Sequence, residues 1–369
     1  MIVAVVPRRR HADGSIIQAL HEAQKIAFSP FVFQAVVAAS RLGLFTALLE
    51  APEGLDEDAL ARKTSQSTYA VGVLVDVLAA GGVLERSDAG PLRLTKTGEC
   101  LALDPMTLVN LNFTADVCYR ALAHLTESLQ TGRPEGLREL GPWETIYPAL
   151  SVLPEPAKTS WFAFDHYYSD RYFEKTARQL EETFHPSVLY DIGGNTGKFA
   201  AACLRAMPQA QIGVIDLPEQ CALAQANPQT AAYGARFETV PVNWLDSTAL
   251  PVVSKPADIL WMSQFLDCFS HEQAVSILKR AQTLLAPGGR IAVLECLTDT
   301  QPYEAAALSL AATSLYFTAV ANGCSRFFRR ANLEAILAEA GLVIEQKSDG
   351  YGVSHTLYVC RPAAKAEKR

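Results

Sequence analysis

The sequence predicts an α/β protein with a seven-stranded, doubly wound sheet, preceded by an all-α region that includes a winged helix. From residue 187 onward, short apolar runs alternate with helical patterns, which is typical of such a sheet. The last two runs are separated only by Gly350-Tyr351-Gly352, which predicts an antiparallel hairpin at the edge of the sheet. Before residue 105, three helical patterns are followed by two short apolar runs, the order of elements in a winged helix.

The composition is that of a folded globular chain. It has 369 residues, 49% hydrophobic and 19% charged, so it is long enough for two domains. Its net charge of −7 argues against a nucleic-acid or anionic membrane partner. The eight cysteines lack metal-type spacing, so we predict no metal, no disulfides and a cytoplasmic location. The apolar residues 1–6 are too few for a signal peptide or a membrane span.

The N-terminal pattern predicts helices over residues 16–50, with a break at Pro30, and over 55–61 and 69–80. A hairpin is expected across the polar turn at 88–91. The helix at the recognition position, residues 69–78, has no Lys or Arg to contact phosphates. Because such an apolar helix suits a subunit interface, we predict a homodimer in preference to a DNA-binding module.

An aromatic-rich helix, residues 161–173, is predicted just before the sheet. His166 and Asp170 lie four residues apart and would face each other on this helix, where the carboxylate would raise the basicity of the imidazole. The position of the helix before the first strand makes it a candidate pocket wall, and plain core packing is the alternative.

The first predicted strand, 187–191, ends in Asp191 and runs through Gly193, Gly194 and Gly197 into a helix. Glycines allow a ligand to approach the backbone closely, and a helix N-terminus favours an anionic group. The spacing is not G-x-G-x-x-G, and Asp191 would repel a pyrophosphate but bind an ammonium, such as that of S-adenosylmethionine (SAM). The second strand, 211–216, ends in Asp216, where an acid would bind ribose hydroxyls.

Five further strands are predicted at 236–241, 258–264, 290–295, 343–348 and 354–360. The third strand of the sheet leads into Asn243 and Trp244, whose amide would bind the exocyclic amine of adenine and whose indole would cover its face. The helix after the fourth strand begins with a capping box, Ser270 with Gln273, and is expected to end at 287–289.

The chain resembles the plant-type, two-domain O-methyltransferases and their bacterial relatives, the family of caffeate and acetylserotonin methyltransferases. The resemblance lies in the segments 38–45, 191–197, 215–218, 285–289 and 294–296. It implies a class I methyltransferase sheet, SAM as cofactor with S-adenosylhomocysteine as product, no metal, and an obligate homodimer. It also implies a pocket between the domains for a small aromatic or polyketide acceptor. The expected divisions are a flexible tail at 1–15, a winged-helix dimerisation domain at 16–105, a helical connector lining the substrate pocket at 106–184, a SAM-binding domain at 185–361, and a flexible tail at 362–369.

The sequence pattern and the resemblance together assign candidate site residues. The predicted cofactor contacts are Asp191, Gly193, Gly194, Asn195, Asp216, Leu217, Asn243, Trp244, Ser263 and Gln264. Ser263 stands where plant members often have a lysine. The predicted substrate contacts are Phe162, Asp165, Tyr167, Tyr168, Asn322 and Phe327.

The catalytic positions depart from the family pattern, in which a histidine after the fourth strand takes the proton of the acceptor and two glutamates support it. Here Asp267 occupies the position of the histidine, Glu295 matches the first glutamate, and Phe327 replaces the second. We therefore predict Asp267 as the base, with His166 as its rival. The alternative for Asp267 is a loop cap that bonds backbone amides.

The predicted activity is SAM-dependent methylation of a small aromatic, quinone or polyene-type metabolite, with a hydroxyl as the favoured acceptor over nitrogen or carbon. Because the family histidine is missing, a SAM-binding protein with non-methylating, hydroxylase-like or pericyclase-like chemistry is a second reading. A winged-helix regulator that binds DNA is the third.

Overall fold

The computed structural model describes residues 15–86, 90–352 and 354–364. Positions 88 and 89 of the predicted polar turn lie outside the described residues, as do residues 1–14 and 365–369 of the predicted tails. The chain divides into two units, one up to Leu111 and the other from Asn112.

The first unit contains five helices and a small hairpin, and a sixth helix crosses its boundary. These elements are α1 (Ile16–Arg41), α2 (Leu44–Leu49), α3 (Glu57–Thr64), α4 (Thr68–Ala80), β1 (Leu84–Glu85), β2 (Arg93–Leu94), α5 (Lys96–Leu103) and α6 (Pro105–Phe113). Strands β1 and β2 pair antiparallel, with Leu84 opposite Leu94. Helix α4 presents Val71, Val75 and Leu78 to the core of this unit, which explains its apolar sequence.

The predicted break at Pro30 is wrong, because α1 continues through this residue. Proline has no N–H to donate to the carbonyl four residues earlier, that of Ile26. The Ser29 hydroxyl donates to this carbonyl instead, at 2.9 Å. The helix ends at Arg41, two residues before Gly43, whose φ of +81° lies in the left-handed region that glycine adopts readily.

The second unit consists of a helical segment followed by the seven-stranded sheet. Its helices are α7 (Leu125–Thr131), α8 (Ala157–Ser169), α9 (Phe173–Phe184), α10 (Lys198–Ala206), α11 (Pro218–Ala226), α12 (Pro228–Ala231), α13 (His271–Ala281), α14 (Glu304–Tyr316) and α15 (Arg330–Glu339). Its strands are β3 (Val188–Ile192), β4 (Gln211–Asp216), β5 (Phe237–Pro241), β6 (Ala257–Ser263), β7 (Leu285–Cys296), β8 (Leu342–Tyr351) and β9 (His355–Pro362).

The strand order in the sheet is β5-β4-β3-β6-β7-β9-β8, and only the pairings that involve β9 are antiparallel. The predicted doubly wound sheet with an antiparallel edge hairpin is therefore confirmed. The strand order reverses direction at β3, because β4 lies on one side of it and β6 on the other. In such sheets ligands bind at the carboxyl ends of the strands beside this switch point.

Apolar side chains from alternate strand positions form a separate cluster on each face of the sheet. Tyr190 and Ile192 of β3 point to one face, toward α13 and α15, whereas Leu189 packs on the other face with α9 and α10. A third cluster lies in the helical segment, where Phe113, Ile146 and Phe317 are among its buried members. The site described below is therefore held between a rigid sheet and a packed helical wall.

The helix after β6 begins as predicted but ends earlier. Ser270 accepts a hydrogen bond from the Gln273 N–H and Gln273 Oε1 accepts one from the Ser270 N–H, which confirms the capping box. Helix α13 ends at Ala281, and a short 3₁₀ turn follows at Gln282–Leu284. Residues 287–289, predicted to end the helix, lie within β7, so that prediction is wrong.

One helical window, residues 304–321, passes a test for membrane-spanning length and composition, with a third of it buried inside the protein. Core helices of proteins in water also pass this test.

Removing the cap of α13 should lower the stability of the second unit. We expect Ser270→Ala to reduce the free energy of unfolding by about 1 kcal/mol, because the Gln273 N–H loses its acceptor. Ser270→Thr keeps a hydroxyl and serves as the control, with a loss of a few tenths of a kcal/mol at most. Urea denaturation followed by tryptophan fluorescence would measure both, and equal stability of the two variants would contradict the prediction.

Candidate active site

A cavity of about 350 Å³ lies at the carboxyl ends of β3, β4, β5 and β6. All the residues that line it belong to the second unit. At the sheet they include Asp191, Gly193, Gly194, Asn195, Asp216, Leu217, Asn243, Trp244, Ser263 and Gln264. All ten predicted cofactor-binding residues therefore line one cavity.

The loop after β3 brings bare backbone to the cavity. Gly193 has a φ of +77°, and a Cβ at this position would lie 2.4 Å from the Phe265 ring. A Cβ on Gly194 would lie 2.7 Å from Asp191 Oδ2. Asn195 also adopts a positive φ, 49°, which asparagine tolerates better than most residues. A larger residue at Gly194 would fill the space beside the carboxylate, and one at Gly193 would clash with the Phe265 ring.

Asp191 and Asp216 place two carboxyl groups beside this loop. Asp191 is 3% exposed and its Oδ2 has no hydrogen-bond partner among the described residues. Burial, together with the charge of Asp216, raises the pKa of Asp191 well above its usual range. Asp216 accepts hydrogen bonds from the Asn195 and Leu217 N–H groups at 2.8 and 2.7 Å, and burial raises its pKa to about 6.

These two acids fit a ligand that carries a cation and hydroxyl groups. A buried carboxylate oxygen without a donor is costly, and an ammonium beside Asp191 would remove that cost. The anionic end of such a ligand would lie near the free N–H groups at the start of α10. The residues present therefore fit the amino-acid portion of SAM.

The contacts of Asn243 and Trp244 refine the prediction for adenine. Asn243 Oδ1 accepts the Leu245 N–H at 3.0 Å, so its Nδ2 is the group left to face a ligand. A donor at this position would bind a ring nitrogen of adenine rather than its exocyclic amine. Trp244 is 5% exposed and Arg280 stacks over its ring at 5.2 Å, so the indole is anchored in the core while it lines the cavity.

Gln264 is held in an unusual conformation at the end of β6. Its φ is +49°, and its Oε1 accepts a hydrogen bond from His355 Nε2 at 2.9 Å. Burial lowers the pKa of His355 to about 4, so the imidazole is neutral at physiological pH. The neighbouring Ser263 hydroxyl bonds Tyr172 at 3.3 Å. These contacts direct the Gln264 amide N–H groups toward the cavity.

The other end of the cavity is lined mainly by aromatic side chains. They come from the helical segment, from the turn after β6, and from α14 and the residues that follow it. These side chains are Phe113, Tyr147, Trp161, Phe164, Phe265, Phe269, Tyr316, Phe317 and Phe327. Phe113 stacks on Phe164 with ring centroids 4.1 Å apart. Such a wall suits a flat, conjugated ligand.

Asp267 lines the cavity in the short turn after β6 and is 2% exposed. Burial raises its pKa to about 7. Glu295 lies behind it, fully buried, and Glu295 Oε1 accepts the Phe265 and Leu266 N–H groups at 3.1 and 2.8 Å. These bonds fix the backbone of the turn that carries Asp267. Bonding backbone amides, the alternative role predicted for Asp267, is the role that Glu295 has in the structure.

The Glu295 and Asp267 carboxyl groups influence each other's ionisation. Burial and the charge of Asp267 raise the pKa of Glu295 well above its usual range. Glu295 Oε2 has no hydrogen-bond partner among the described residues. Glu295 does not line the cavity, so it acts through Asp267.

His166 lines a different part of the cavity. The predicted pairing of His166 with Asp170 is wrong, because Asp170 Oδ2 instead accepts a hydrogen bond from Lys198 Nζ at 2.6 Å. Burial and the nearby Lys198 charge lower the pKa of His166, which keeps the ring neutral. Lys198 starts α10, so His166 faces the cofactor end whereas Asp267 faces the aromatic end.

Four predicted substrate contacts are not among the residues that line the cavity. Phe162 packs edge-on against Trp161, Tyr167 stacks under Arg171, and Tyr168 packs on Phe164. Tyr167 lies on the side of α8 opposite Asp165, because successive helix positions are about 100° apart.

Asn322, the fourth of these predicted contacts, has a structural role. Its Nδ2 lies 3.0 Å from the Tyr147 hydroxyl, 2.8 Å from the Cys268 carbonyl and 2.8 Å from the Ser325 hydroxyl, so it ties the Asp267 turn to the helical wall. Asp165 and Phe327, the remaining two predicted substrate contacts, do line the cavity.

Sequence reasoning missed several lining residues. Lys198 directly follows the glycine motif, and Phe265 directly follows Gln264. Their adjacency to predicted site residues could have identified them as lining the cavity. Tyr147 and Tyr316 come from segments far from the strand ends, and no sequence signal marks them. Among the described residues, no group of three or more His, Cys, Asp or Glu side chains is placed to hold a metal ion. All eight cysteines are free thiols.

Comparison with known families matches two parts of the chain. A model of the O-methyltransferase domain matches residues 174–343, which contain the sheet strands β3 to β7. A model of the Dimerisation2-like domain matches residues 20–89 in the first unit.

Individual relatives cover most of the chain. A 3-amino-4-hydroxybenzoate 4-O-methyltransferase of Streptomyces cremeus is 26% identical over 270 residues, 72% of this chain and 70% of its own length. The O-methyltransferase SfmM3 of Streptomyces lavendulae is 26% identical over 333 residues, 87% of this chain and 94% of its own.

Solved structures show the same fold. The mitomycin 7-O-methyltransferase MmcR has a TM-score of 0.71 at 22% identity, covering 94% of this chain and 98% of its own. Human N-acetylserotonin methyltransferase in complex with SAM has a TM-score of 0.66 at 20% identity, covering 96% of this chain and all of its own. The two family matches and the SAM-type cavity lead to one conclusion: the chain belongs to the SAM-dependent O-methyltransferases that carry a Dimerisation2-like domain.

Proposed function

We propose that this enzyme methylates a phenolic hydroxyl of a small aromatic metabolite, with Asp267 as the base. The observation that carries the proposal is a single cavity that joins a SAM-type end to an aromatic chamber containing a buried carboxyl group. The relative named for 4-O-methylation of an amino-hydroxybenzoate supports a phenolic oxygen as the acceptor.

When bound, SAM supplies an electrophilic methyl group and is released as S-adenosylhomocysteine. The residues of the chain bind and orient the two reactants. Asp191 would bind the ammonium and Asp216 the ribose hydroxyls, whereas the aromatic rings would hold the acceptor flat. Alignment of this kind supplies roughly 7 to 11 kcal/mol of the barrier reduction.

Asp267 would remove the proton of the phenol as the new oxygen–carbon bond forms. A phenol has a pKa of about 10 and an ordinary aspartate one of about 4, so a normal carboxylate is a weak base for it. The pKa of Asp267, about 7, lies closer to that of the phenol. A proton on Glu295 would help to hold the Asp267 carboxylate, whose Oδ1 also accepts a weak hydrogen bond from the Cys268 thiol at 3.6 Å.

His166 is the less suitable base. Its charged neighbours are Lys198, at the start of α10, and Asp170, just after α8. Asp267 instead lies among the rings of the aromatic chamber. This separation favours Asp267 as the group that contacts the acceptor hydroxyl.

The family match favours methyl transfer over both earlier alternatives, non-methylating chemistry and DNA binding. We further propose a homodimer that forms through the first unit, in the cytoplasm, without nucleic-acid or membrane partners. The Dimerisation2-like match supports this assembly, as do the exposed apolar side chains of α1, which are Ile16, Ile17, Leu20, Ile26, Phe28 and Phe31.

Incubation of the enzyme with SAM and a panel of phenols tests the activity. We expect S-adenosylhomocysteine to form together with a product heavier by one methyl group, detected by mass spectrometry. A heavier product without S-adenosylhomocysteine, or cofactor binding without any methylated product across the panel, would contradict the proposal.

Asp191 should contribute strongly to cofactor affinity. We expect Asp191→Asn to weaken S-adenosylhomocysteine binding by roughly 30-fold, because a charge-assisted hydrogen bond worth about 2 kcal/mol is lost. Calorimetry would measure the Kd, with Glu182→Gln, an exposed acid on α9, as the control. Equal affinity of the variant and the wild type would rule out the ammonium contact.

Asp267→Asn should lower kcat by roughly 10²- to 10⁴-fold, the usual contribution of a general base. The cofactor Kd should stay unchanged, because the carboxyl group faces the acceptor. His166→Ala should lower kcat less than tenfold. A single-turnover assay would measure both variants. A larger loss in His166→Ala than in Asp267→Asn would reverse the assignment of the base.

The buried acids should make the ligand-free protein less stable as the pH rises. The pKa values of Asp165 and Asp267 are about 7 in the folded chain, above the value near 3.9 of an unfolded aspartate. Between about pH 4 and pH 7 the folded state therefore binds more protons, and the free energy of unfolding falls as the pH rises.

Asp267→Asn should remove up to about 1.4 kcal/mol per pH unit of that slope. Urea denaturation at half-unit pH steps would measure it, with Glu182→Gln as the control. An unchanged slope in Asp267→Asn would show that this carboxyl group titrates normally.

A further inference from the structure

The cavity contains a further acid, Asp165, that the proposed methyl transfer does not use. Asp165 lies on the face of α8 that also carries Trp161 and Ser169, four residues to either side, and all three line the cavity. Neither a hydrogen bond nor an ion pair reaches its carboxyl group from any described residue. Asp165 is half-buried, and burial raises its pKa to about 7.

The neighbouring polar groups already have partners. The Trp161 indole N–H donates to the Tyr316 hydroxyl at 2.8 Å, so it is not available to Asp165. Lys198 is bound to Asp170, just beyond the end of α8, at 2.6 Å, and its charge offsets only part of the effect of burial on the pKa of Asp165. Asp165 therefore faces the cavity as an acceptor without a donor.

The charge balance of the cavity is negative. Among the described lining residues, Lys198 is the only lysine or arginine, and Asp170 already neutralises it. Asp165 and Asp267 both line the cavity, and the charge of Asp165 raises the pKa of Asp267. An acceptor with a carboxylate would add a third negative charge in an apolar space, whereas a cationic acceptor would supply the missing donor.

We infer that the acceptor carries a basic amine, and that the Asp165 carboxylate binds this amine while the phenol lies beside Asp267. The inference rests on the proposed phenol methylation and names its substrate class: phenols with a protonated amine group. Asp165 is then a specificity-determining residue, because it favours cationic over neutral and anionic acceptors of the same shape.

Three phenols with a two-carbon arm test this directly. Tyramine ends in an ammonium, tyrosol in a hydroxyl and 3-(4-hydroxyphenyl)propanoate in a carboxylate. Calorimetry at pH 8 on the enzyme saturated with S-adenosylhomocysteine should give tyramine a Kd at least 10-fold lower than that of tyrosol. The carboxylate should bind at least 100-fold more weakly than tyramine.

The variant Asp165→Asn should bring tyramine within 3-fold of tyrosol, while Glu182→Gln keeps the wild-type ranking. Binding of S-adenosylhomocysteine by the variant shows that it is folded, and Asp165→Ser serves as a second variant if it is not. Tyrosol or the carboxylate binding wild-type enzyme as well as tyramine does, no detectable tyramine binding, or an unchanged ranking in the folded variant would each overturn the inference.

Mass spectrometry of the same mixtures with SAM separates this inference from the proposed function. Preferred binding of tyramine without any methylated product would contradict phenol methylation and leave the Asp165 contact standing. Preferred methylation of the carboxylate would uphold the reaction and overturn the role of Asp165.

Discussion

The hydrogen bond from the Asn195 N–H to the Asp216 carboxylate ties the loop after β3 to the end of β4, and the rest of the site depends on it. The bond is possible because the strands are parallel and in register, with Ile192 opposite Ile215. Parallel pairing places both carboxyl ends at one edge of the sheet, and the Gly193 N–H extends the ladder by one more bond to the Ile215 carbonyl. The loop is thereby held open around Asp191, and its glycines leave room for a ligand.

Burial of acids is the main electrostatic cost of this arrangement. Asp191, Asp216, Asp165, Asp267 and Glu295 all have raised pKa values because water is excluded from them. The same desolvation makes each acid a strong partner for a cation or a proton. The cofactor end would be neutralised by the ammonium of SAM, and the aromatic end by the proton of the acceptor and by its amine. Because desolvation of these acids destabilises the ligand-free site, the site would favour positively charged ligands.

In the proposed mechanism, the surroundings of Asp267 would compensate for the missing family histidine. A carboxylate in water would be too weak a base for a phenol, but burial brings the pKa of Asp267 to about 7, near that of an ordinary histidine. The position of Asp267 depends on the bonds that Glu295 and the Asn322 amide make to the backbone of its turn. If Asp267 is the base, side chains that never touch the acceptor would determine where the proton goes.

The sequence by itself determined the fold class, the succession of strand, glycine loop and helix after β3, and the ten residues that line the cavity at the sheet. These features follow from local periodicity and from the residues adjacent to strand ends. Pro30 shows where local rules fail, since the Ser29 hydroxyl satisfies the carbonyl that proline leaves free. Only the tertiary structure decided which face of α8 lines the cavity, that Lys198 rather than His166 pairs with Asp170, and that Glu295 lies behind Asp267. These outcomes depend on contacts between residues that lie 28 to 155 positions apart in the chain, whose packing and desolvation a sequence pattern does not encode.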